Sequence, residues 1–289
     1  MNISFSNLGA HGRIGNQLFQ LMSTMGIAEK HGATASFPSW EYENYFEPIP
    51  HGPMESTRVD EKYFQYYEWD LPGNCDLLGY MQSEKYFGSK RLKLKDSFTQ
   101  RFERLPVFKA PTICIQVRRG DYVGNGNYVQ LPPTFYIDAL ITHFPDWEDH
   151  NIVFVSDDVD YCRTHFECMP NAYFVNGEKG YDIVDMGLAS CCDHFIISNS
   201  SFGWWCAWLG EKPDSKIIHS GQLHAGRLAR KGNEDYYPDR WIEHKKESYV
   251  IPLKDVTFTI PVYFDHPDRK ANLDLSLCML QKDFNSNFI

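Results

Sequence analysis

The sequence has 289 residues, of which 28 are Lys or Arg and 38 are Asp or Glu, so its formal charge is −10. A hydrophobic content of 43% is typical of a folded globular protein and excludes a disordered chain. The acidic balance argues against nucleic acid or an anionic membrane as the partner, because both attract basic surfaces. The sequence has no long apolar run and no signal-peptide pattern at its start, so we expect a cytoplasmic protein without stable membrane insertion.

The cysteines give little sign of a disulfide framework. Eight are spread along the sequence and none forms a CxxC pair. Zinc sites normally show closely spaced cysteine ligands, and Cys114 and Cys206 lie inside apolar or aromatic runs, which is typical of reduced core thiols. We therefore expect reduced thiols in the core and no metal site.

The first third of the chain shows a short strand, a helix and further strand patterns. Apolar periodicity predicts strands over 3–6, 33–37 and 76–81, a helix over 14–29, and partly helical structure over 84–102. Residues 38–73 are rich in Pro, Glu and aromatic residues and permit no assignment.

The pattern after residue 110 is a regular alternation of strands and helices. Strands are predicted over 112–117, 152–155, 172–175, 195–198 and 216–219, and helices over 133–144, 159–166, 183–192 and 202–209. This alternation predicts an α/β fold with a parallel, doubly wound sheet over about 110–235. Ligands of such sheets bind beyond the carboxyl ends of the strands, where several polar clusters lie.

A glycine turn precedes the first predicted helix. Gly12 and Gly15 allow close backbone approach, and the free N–H groups of the new helix face whatever lies before it. The same residues also suit a simple tight turn between a strand and a helix.

An arginine pair ends the 112–117 strand. The guanidinium fork matches phosphate oxygens, so Arg118 and Arg119 suit a diphosphate. We expect one of them to point inward and the other to be structural. The alternative is a surface ion pair between Arg119 and Asp121.

Two adjacent carboxylates, Asp157 and Asp158, end the 152–155 strand. A carboxylate there can accept from the N1–H and N2–H₂ donors of guanine. Alternatives are an N-cap for the next helix or a divalent-metal site. We expect capping to occupy one of the two side chains.

A run of small polar residues precedes the last predicted helix. Ser198, Asn199, Ser200 and Ser201 stand before an aromatic helix, where hydroxyl and N–H groups can form an anion site. A serine N-cap on a buried Trp-rich helix is an equally simple interpretation, and the two are compatible.

Five ordered motifs together resemble the α1,2-fucosyltransferases of glycosyltransferase family 11. They are GRIGNQLFQ (12–20), GYMQSEKYF (79–87), IQVRRGDY (115–122), FVSDD (154–158) and DMGLASCCDHFIISNSSFGWWCAWL (185–209). The resemblance covers about residues 1–245. It implies a GT-B-type fold of two Rossmann-like halves facing a cleft: an acceptor-side half over 1–108 and a GDP-fucose-binding half over 109–250.

The resemblance also implies an activity. It is the inverting transfer of L-fucose from GDP-β-L-fucose to the 2-hydroxyl of a terminal galactose in an oligosaccharide acceptor, without a metal or other cofactor.

The resemblance assigns candidate site residues. The catalytic candidates are Arg118, which balances the charge of the departing diphosphate, and Asp121, which is either the general base or a group that orients Arg118. The expected donor-binding residues, with Asp158 reading guanine, are Arg13, Gly15, Asn16, Gln17, Gln116, Asp157, Asp158, Asn199, Ser200, Ser201 and Phe202. Gln116 departs from the family, which normally has His there, and glutamine cannot carry a proton.

Two rival functions remain open from the sequence. One is a non-catalytic GDP-sugar-binding module, which Gln116 favours. The other is a fucosyltransferase that acts on protein hydroxyls.

The end of the chain departs from this pattern. Residues 255–263 read as a strand and 271–282 as a helix with Leu on one face. TIPVYFDHPDR is similar to the first strand and turn of a family-2-type GT-A glycosyltransferase. We therefore expect 255–289 to be the truncated start of a following domain. The alternative is a C-terminal strand and helix that pack on the first domain.

Overall fold

The computed structural model describes residues 1–88, 90–175 and 182–245. The N-terminal part forms a four-stranded parallel sheet with the order β2-β1-β4-β3. Its strands are β1 (Asn2–Ser4), β2 (Thr34–Ser36), β3 (Arg58–Asp60) and β4 (Cys75–Leu78). Helix α1 (Ile14–Lys30) joins β1 to β2, and helix α2 (Asp96–Glu103) follows β4.

The second sheet has six parallel strands in the order β10-β9-β8-β5-β6-β7. They are β5 (Thr112–Val117), β6 (Asn151–Ser156), β7 (Ala172–Phe174), β8 (His194–Ile197), β9 (Ile217–His219) and β10 (Ile242–Glu243). The helices between them are α3 (Pro133–His143), α4 (Val159–Phe166), α5 (Asp182–Ala189) and α6 (Ser201–Gly210). Every residue of β5 is buried, as expected for a central strand with helices on both faces.

In each sheet the strand order changes direction at the strand that comes first in the chain. β1 lies between β2 and β4, and β5 lies between β6 and β8. Ligands of open parallel sheets bind beyond the carboxyl ends of the strands at such a point. There, Arg118 follows β5 and Ser198 follows β8, whereas Gly79 follows β4 in the first sheet.

The two sheets share a core that is centred on α1 and α6. Trp204 and Trp205 of α6 are fully buried. The centre of the Phe19 ring in α1 lies 4.5 Å from the ring centre of Trp204 and 5.1 Å from that of Trp205. Because α1 is covered by its own sheet on one side and by α6 on the other, apolar residues occupy most of its circumference. The aromatic richness of the sequence therefore serves packing as well as the surface.

The structure confirms the α/β fold class and the parallel sheet after residue 110. The short strands β3 and β10 were not predicted. The described cysteines are all free, and Cys75, Cys114, Cys162, Cys192 and Cys206 are buried. None of the helices in the described part of the chain is long and apolar enough to cross a membrane. The predicted start of a following domain, 255–289, lies outside the described residues, and the expected domain boundaries stay predictions.

Candidate active site

A cleft of about 640 Å³ lies at the carboxyl ends of both sheets. Among the residues expected to bind the donor or to act in catalysis, those that line it are Arg13, Gly15, Asn16, Gln116, Arg118, Asp121, Asp157, Asn199, Ser200, Ser201 and Phe202. The fold therefore brings together motifs from both halves. Gln17 and Asp158 are the predicted residues that do not line the cleft.

The N-termini of α1 and α6 meet in this cleft. A Cβ at Gly15 would stand 2.6 Å from the backbone nitrogen of Phe202, so only glycine allows this approach. Ser200 caps α6 by accepting from Phe202 N–H at 3.3 Å, and the Ser201 hydroxyl donates to Asn16 Oδ1 at 2.8 Å. Neither helix has an acidic residue in its first turn, so the positive ends of both dipoles face the cleft uncompensated.

Arg118 is the inward arginine. Its side chain is 10% exposed, and it donates to Asp157 Oδ2 at 2.7 Å and to Asp121 Oδ1. Its guanidinium also lies 5.0 Å from the ring centre of Tyr122. These contacts fix a positive charge in the cleft, next to the helix N-termini.

Asp121 joins the two halves of the protein. Its Oδ1 accepts from Arg118 and, at 3.0 Å, from Arg13, which immediately precedes α1. The Asp121 side chain is 65% exposed, so the carboxylate remains accessible from the cleft.

Arg119 has the structural role expected for one of the arginines. Its guanidinium lies 3.9 Å from the ring centre of Tyr161 in α4 and 3.9 Å from Asp158 Oδ2. The alternative of an ion pair between Arg119 and Asp121 is wrong, because Asp121 is paired with Arg118 and Arg13 instead.

The two adjacent carboxylates divide their roles. Asp158 is the N-cap of α4 and accepts from Tyr161 N–H at 3.1 Å, which confirms that capping occupies one of them. Asp157 lines the cleft and accepts from the backbone N–H of Arg119 at 2.8 Å and from Arg118. Burial raises the pKa of Asp157. Asp158 is used as the cap of α4 and does not line the cleft, so the structure does not support its expected contact with guanine.

Gln17 and Asn199 brace the loops around the site. Gln17 Nε2 donates to the carbonyl of Gly12 at 2.8 Å, and its Oε1 accepts from Trp40 at 2.8 Å. This places Gln17 behind the glycine turn, which corrects its expected position against the donor. Asn199 Nδ2 donates to the carbonyls of Val129 and Leu223 at 2.8 and 3.0 Å.

Gln116 is 3% exposed and packs under the first turn of α6. Its Oε1 accepts from the Ser198 hydroxyl at 2.5 Å, and a Cβ at Gly203 would stand 2.4 Å from that oxygen. Within the described residues, the amide Nε2 makes no hydrogen bond, and Gln116 lines the cleft.

A buried carboxylate that sequence reasoning missed, Asp185 of α5, also lines the cleft. It is 7% exposed, and burial, with a smaller effect from Asp182, raises its pKa to about 7. Strongly perturbed carboxylates in clefts are candidates for function. The sequence feature that could have identified Asp185 is its position at the start of the 185–209 motif.

The other end of the cleft is aromatic. Tyr122 and Tyr128 stack with ring centres 4.2 Å apart, and Phe64 lies 5.2 Å from the His224 ring. The further lining residues here are Tyr80, Gln82, Leu223, Leu228, Lys231 and Tyr236. Sequence analysis did not find this end, because its residues come from loops far apart in the chain.

No group of three or more His, Cys, Asp or Glu within 1–88, 90–175 and 182–245 is placed to hold a metal ion.

Comparisons with known sequences identify relatives. An alpha-1,2-colitosyltransferase of Escherichia coli is 30% identical over 166 residues, which are 52% of this chain and 56% of the relative. The galactoside 2-alpha-L-fucosyltransferase SEC1 of Bos taurus is 24% identical over 234 residues, which are 70% of this chain and 63% of the relative. The chain spans about half the length of the curated relatives that it matches.

Comparison with solved structures supports the architecture. The fucosyltransferase NodZ from Bradyrhizobium superposes with a TM-score of 0.50 at 15% identity, over 72% of this chain and 91% of that chain. This likeness concerns the fold alone and confirms the expected GT-B type, with two parallel-sheet halves facing a cleft. The model of the family described as Glycosyl transferase family 11 matches residues 58–245. This range is more than half of the sequence and includes most of the residues that line the cleft. The chain therefore belongs to glycosyltransferase family 11.

Proposed function

We propose that the protein transfers L-fucose from GDP-β-L-fucose to the 2-hydroxyl of a terminal galactose, with inversion at the anomeric carbon. One observation carries the proposal: two helix N-termini and two arginines converge in one cleft at the strand-order reversals of both sheets. A sugar nucleotide has a diphosphate at its centre, and this arrangement suits that anion. Family membership and the SEC1 relative support the fucosyl donor and the galactoside acceptor.

The diphosphate would lie between Arg118, Arg13 and the N-termini of α1 and α6. Charge builds on the diphosphate as the bond to fucose breaks, and fixed donors aimed at that charge lower the barrier. These groups take the role that a divalent cation has in metal-dependent enzymes. We therefore expect transfer to continue at an unchanged rate in excess EDTA.

The guanine would be read by Asp185 rather than by Asp158. The Asp185 carboxylate lines the cleft and makes no hydrogen bond among the described residues, whereas Asp158 is used as a helix cap. A carboxylate accepts from the N1–H and N2–H₂ of guanine, and adenine lacks this pair of donors. Gln116 Nε2 offers a neutral donor in the same cleft.

The reaction is a single displacement. The acceptor hydroxyl oxygen forms a bond to the fucose anomeric carbon while the bond to the diphosphate oxygen breaks and GDP leaves. Asp121 is the candidate for taking the hydroxyl proton. Its carboxylate is held by Arg13 and Arg118, and binding of the diphosphate to these arginines would release it.

The test is transfer of labelled fucose by the full chain to lactose, lacto-N-biose and a Ser/Thr peptide. Transfer to the galactosides with an α1,2 linkage in the product supports the proposal. Transfer to the peptide favours a fucosyltransferase that acts on protein hydroxyls. Tight GDP binding without any transfer favours a non-catalytic GDP-sugar-binding module. A parallel reaction with activated colitose tests the donor sugar, because one relative is named a colitosyltransferase.

A further inference from the structure

Glu61 directly follows the edge strand β3 and reaches across to the segment after β4. Its Oε2 accepts from the backbone N–H of Tyr80 at 2.8 Å, and its Oε1 accepts from that of Met81 at 2.9 Å. A Cβ at Gly79 would stand 2.4 Å from the Cβ of Glu61, so glycine leaves the room that this side chain needs. One carboxylate thus holds two consecutive amides of residues 79–82, the 79–82 turn.

The 79–82 turn has an unfavourable backbone conformation. Met81 has a φ of 49° and is the one non-glycine residue with a positive φ in the described part of the chain. L residues avoid this region because of steric contact between Cβ and the backbone. The Ser23 hydroxyl donates to the Met81 carbonyl at 2.8 Å, and the Met81 side chain is fully buried. The conformation persists because Glu61 and Ser23 hold the backbone from both sides.

The held turn directs Tyr80 and Gln82 to the cleft. Gln82 Nε2 donates to Asn16 Oδ1 at 2.8 Å, and this oxygen also accepts from the Ser201 hydroxyl. The turn is therefore connected by hydrogen bonds to the first turns of both α1 and α6.

Tyr80 and Gln82 line the cleft from the side of the first sheet. The groups proposed to hold the diphosphate and guanine are mostly on the second sheet, whereas this turn ends a strand of the first. Tyr128, Phe64 and His224 complete the aromatic end of the same cleft. Aromatic rings pack against the C–H face of a pyranose, and an amide such as that of Gln82 bonds to hydroxyl groups.

We propose that Glu61 is a positioning residue: it holds the 79–82 turn so that Tyr80 and Gln82 form the wall of the cleft that binds the acceptor sugar. The proposal rests on the proposed function, because it assumes that the cleft takes both a sugar nucleotide and a galactoside.

The test is Glu61→Gln in the full chain, which keeps the shape of the side chain but turns an NH₂ group toward one of the two backbone N–H donors. We measure kcat and KM for lactose, the acceptor-independent hydrolysis of GDP-fucose, and the Kd of GDP by calorimetry. The expected result is a loss of about tenfold or more in kcat/KM for lactose, mainly through KM. Hydrolysis and GDP affinity should equal those of the wild type.

Asp193→Asn is the matched control. Its carboxylate accepts from the backbone N–H of Thr112 at 2.9 Å, outside the lining of the cleft. This variant should lower the melting temperature and leave the KM for lactose unchanged. Should Glu61→Gln fail to fold, Gly79→Ala displaces the same carboxylate and is expected to give the same selective loss.

An unchanged KM for lactose in Glu61→Gln would overturn the proposal, and so would an equal loss of GDP affinity and hydrolysis. A wild-type chain that transfers nothing to galactosides would overturn the proposed function itself. The two failures are distinguishable, because the first requires an active wild type.

Discussion

Gly15 of α1 lies against the amide of Phe202 in α6, where a Cβ would stand 2.6 Å from the Phe202 nitrogen. Gly15→Ala must therefore move the two helix N-termini apart. Such overpacking costs about 1–3 kcal/mol, and it separates the N–H groups proposed to bind the diphosphate. We expect a lower melting temperature and a Kd for GDP raised about tenfold, measured by calorimetry.

Gly126→Ala is the control for this prediction. A Cβ at Gly126 meets nothing within 4 Å, and this glycine is not among those with a positive φ. The variant should match the wild type in both measurements. A Gly15→Ala protein that binds GDP normally would show that the close approach of α1 and α6 is unrelated to the donor.

The two adjacent arginines should respond differently to substitution. Arg118→Ala removes the fixed charge of the cleft, and we expect kcat to fall about 10³-fold, as when other groups that stabilise transition-state charge are removed. Arg118→Lys should rescue little, because lysine lacks the planar fork. Arg119→Ala removes a guanidinium that lies on Tyr161, so it should lower stability and keep most of the activity. Equal losses in the two alanine variants would contradict the assignment of Arg118 as the inward arginine.

The sequence predicted elements best where burial is continuous. β5 and α4 have the predicted bounds, because a mostly apolar six-residue run with β-branched residues and a cap followed by helical spacing leave few alternatives. β3 and β10 have no such pattern. They are short edge strands whose hydrogen bonds are supplied by β4 and β9, so their existence depends on tertiary structure.

The site could be predicted in part for the same reason. Clusters at strand ends, such as Arg118 and Ser200, are visible because parallel strands carry such residues to one edge. Asp185 lies inside a helix, where a single acidic residue normally faces solvent, and only the fold buries it beside the cleft. The aromatic end joins Phe64, Tyr128 and His224 across long sequence distances, so no local pattern indicates it.

Asp121→Asn separates the two roles left open for this residue. Asparagine accepts no proton, so loss of a general base should lower kcat about 10²-fold or more. GDP affinity should stay equal or increase, because Arg13 and Arg118 lose the carboxylate that competes for them. Steady-state transfer and calorimetry measure the two quantities. Near-wild-type turnover would contradict the base role and leave Asp121 as a group that orients Arg118.

GDP affinity should depend on the protonation of Asp185. The ionised carboxylate accepts from guanine, and the pKa of this group in the free protein is about 7 because of burial. Affinity should therefore decrease as the pH falls below about 7 and level off above it. In Asp185→Asn the amide replaces one acceptor oxygen by a donor, so the affinity should be low and this pH dependence absent. Calorimetric titration with GDP over the pH range distinguishes the two proteins, and an unchanged affinity in the variant would exclude Asp185 as the guanine contact.

The same carboxylate should reduce the stability of the free protein at neutral and alkaline pH. The pKa of Asp185 rises from an ordinary value of 3.8 to about 7 on folding, so the folded state holds a proton that the unfolded state releases. The stabilisation that this bound proton gives to the folded state is therefore fully present below about pH 4 and is lost as the pH rises through about 7. Asparagine does not ionise, so the Asp185→Asn variant does not lose stability in this way. Its melting temperature should exceed that of the wild type at about pH 8 and approach it at about pH 5.

Asp76→Asn is the comparison. Asp76 accepts from Ser4 Oγ and from Ser6 N–H, so losing its carboxylate should lower the melting temperature at both pH values. If Asp185→Asn is destabilised at about pH 8, the charged carboxylate has a partner in the folded protein and its proposed availability to guanine is wrong.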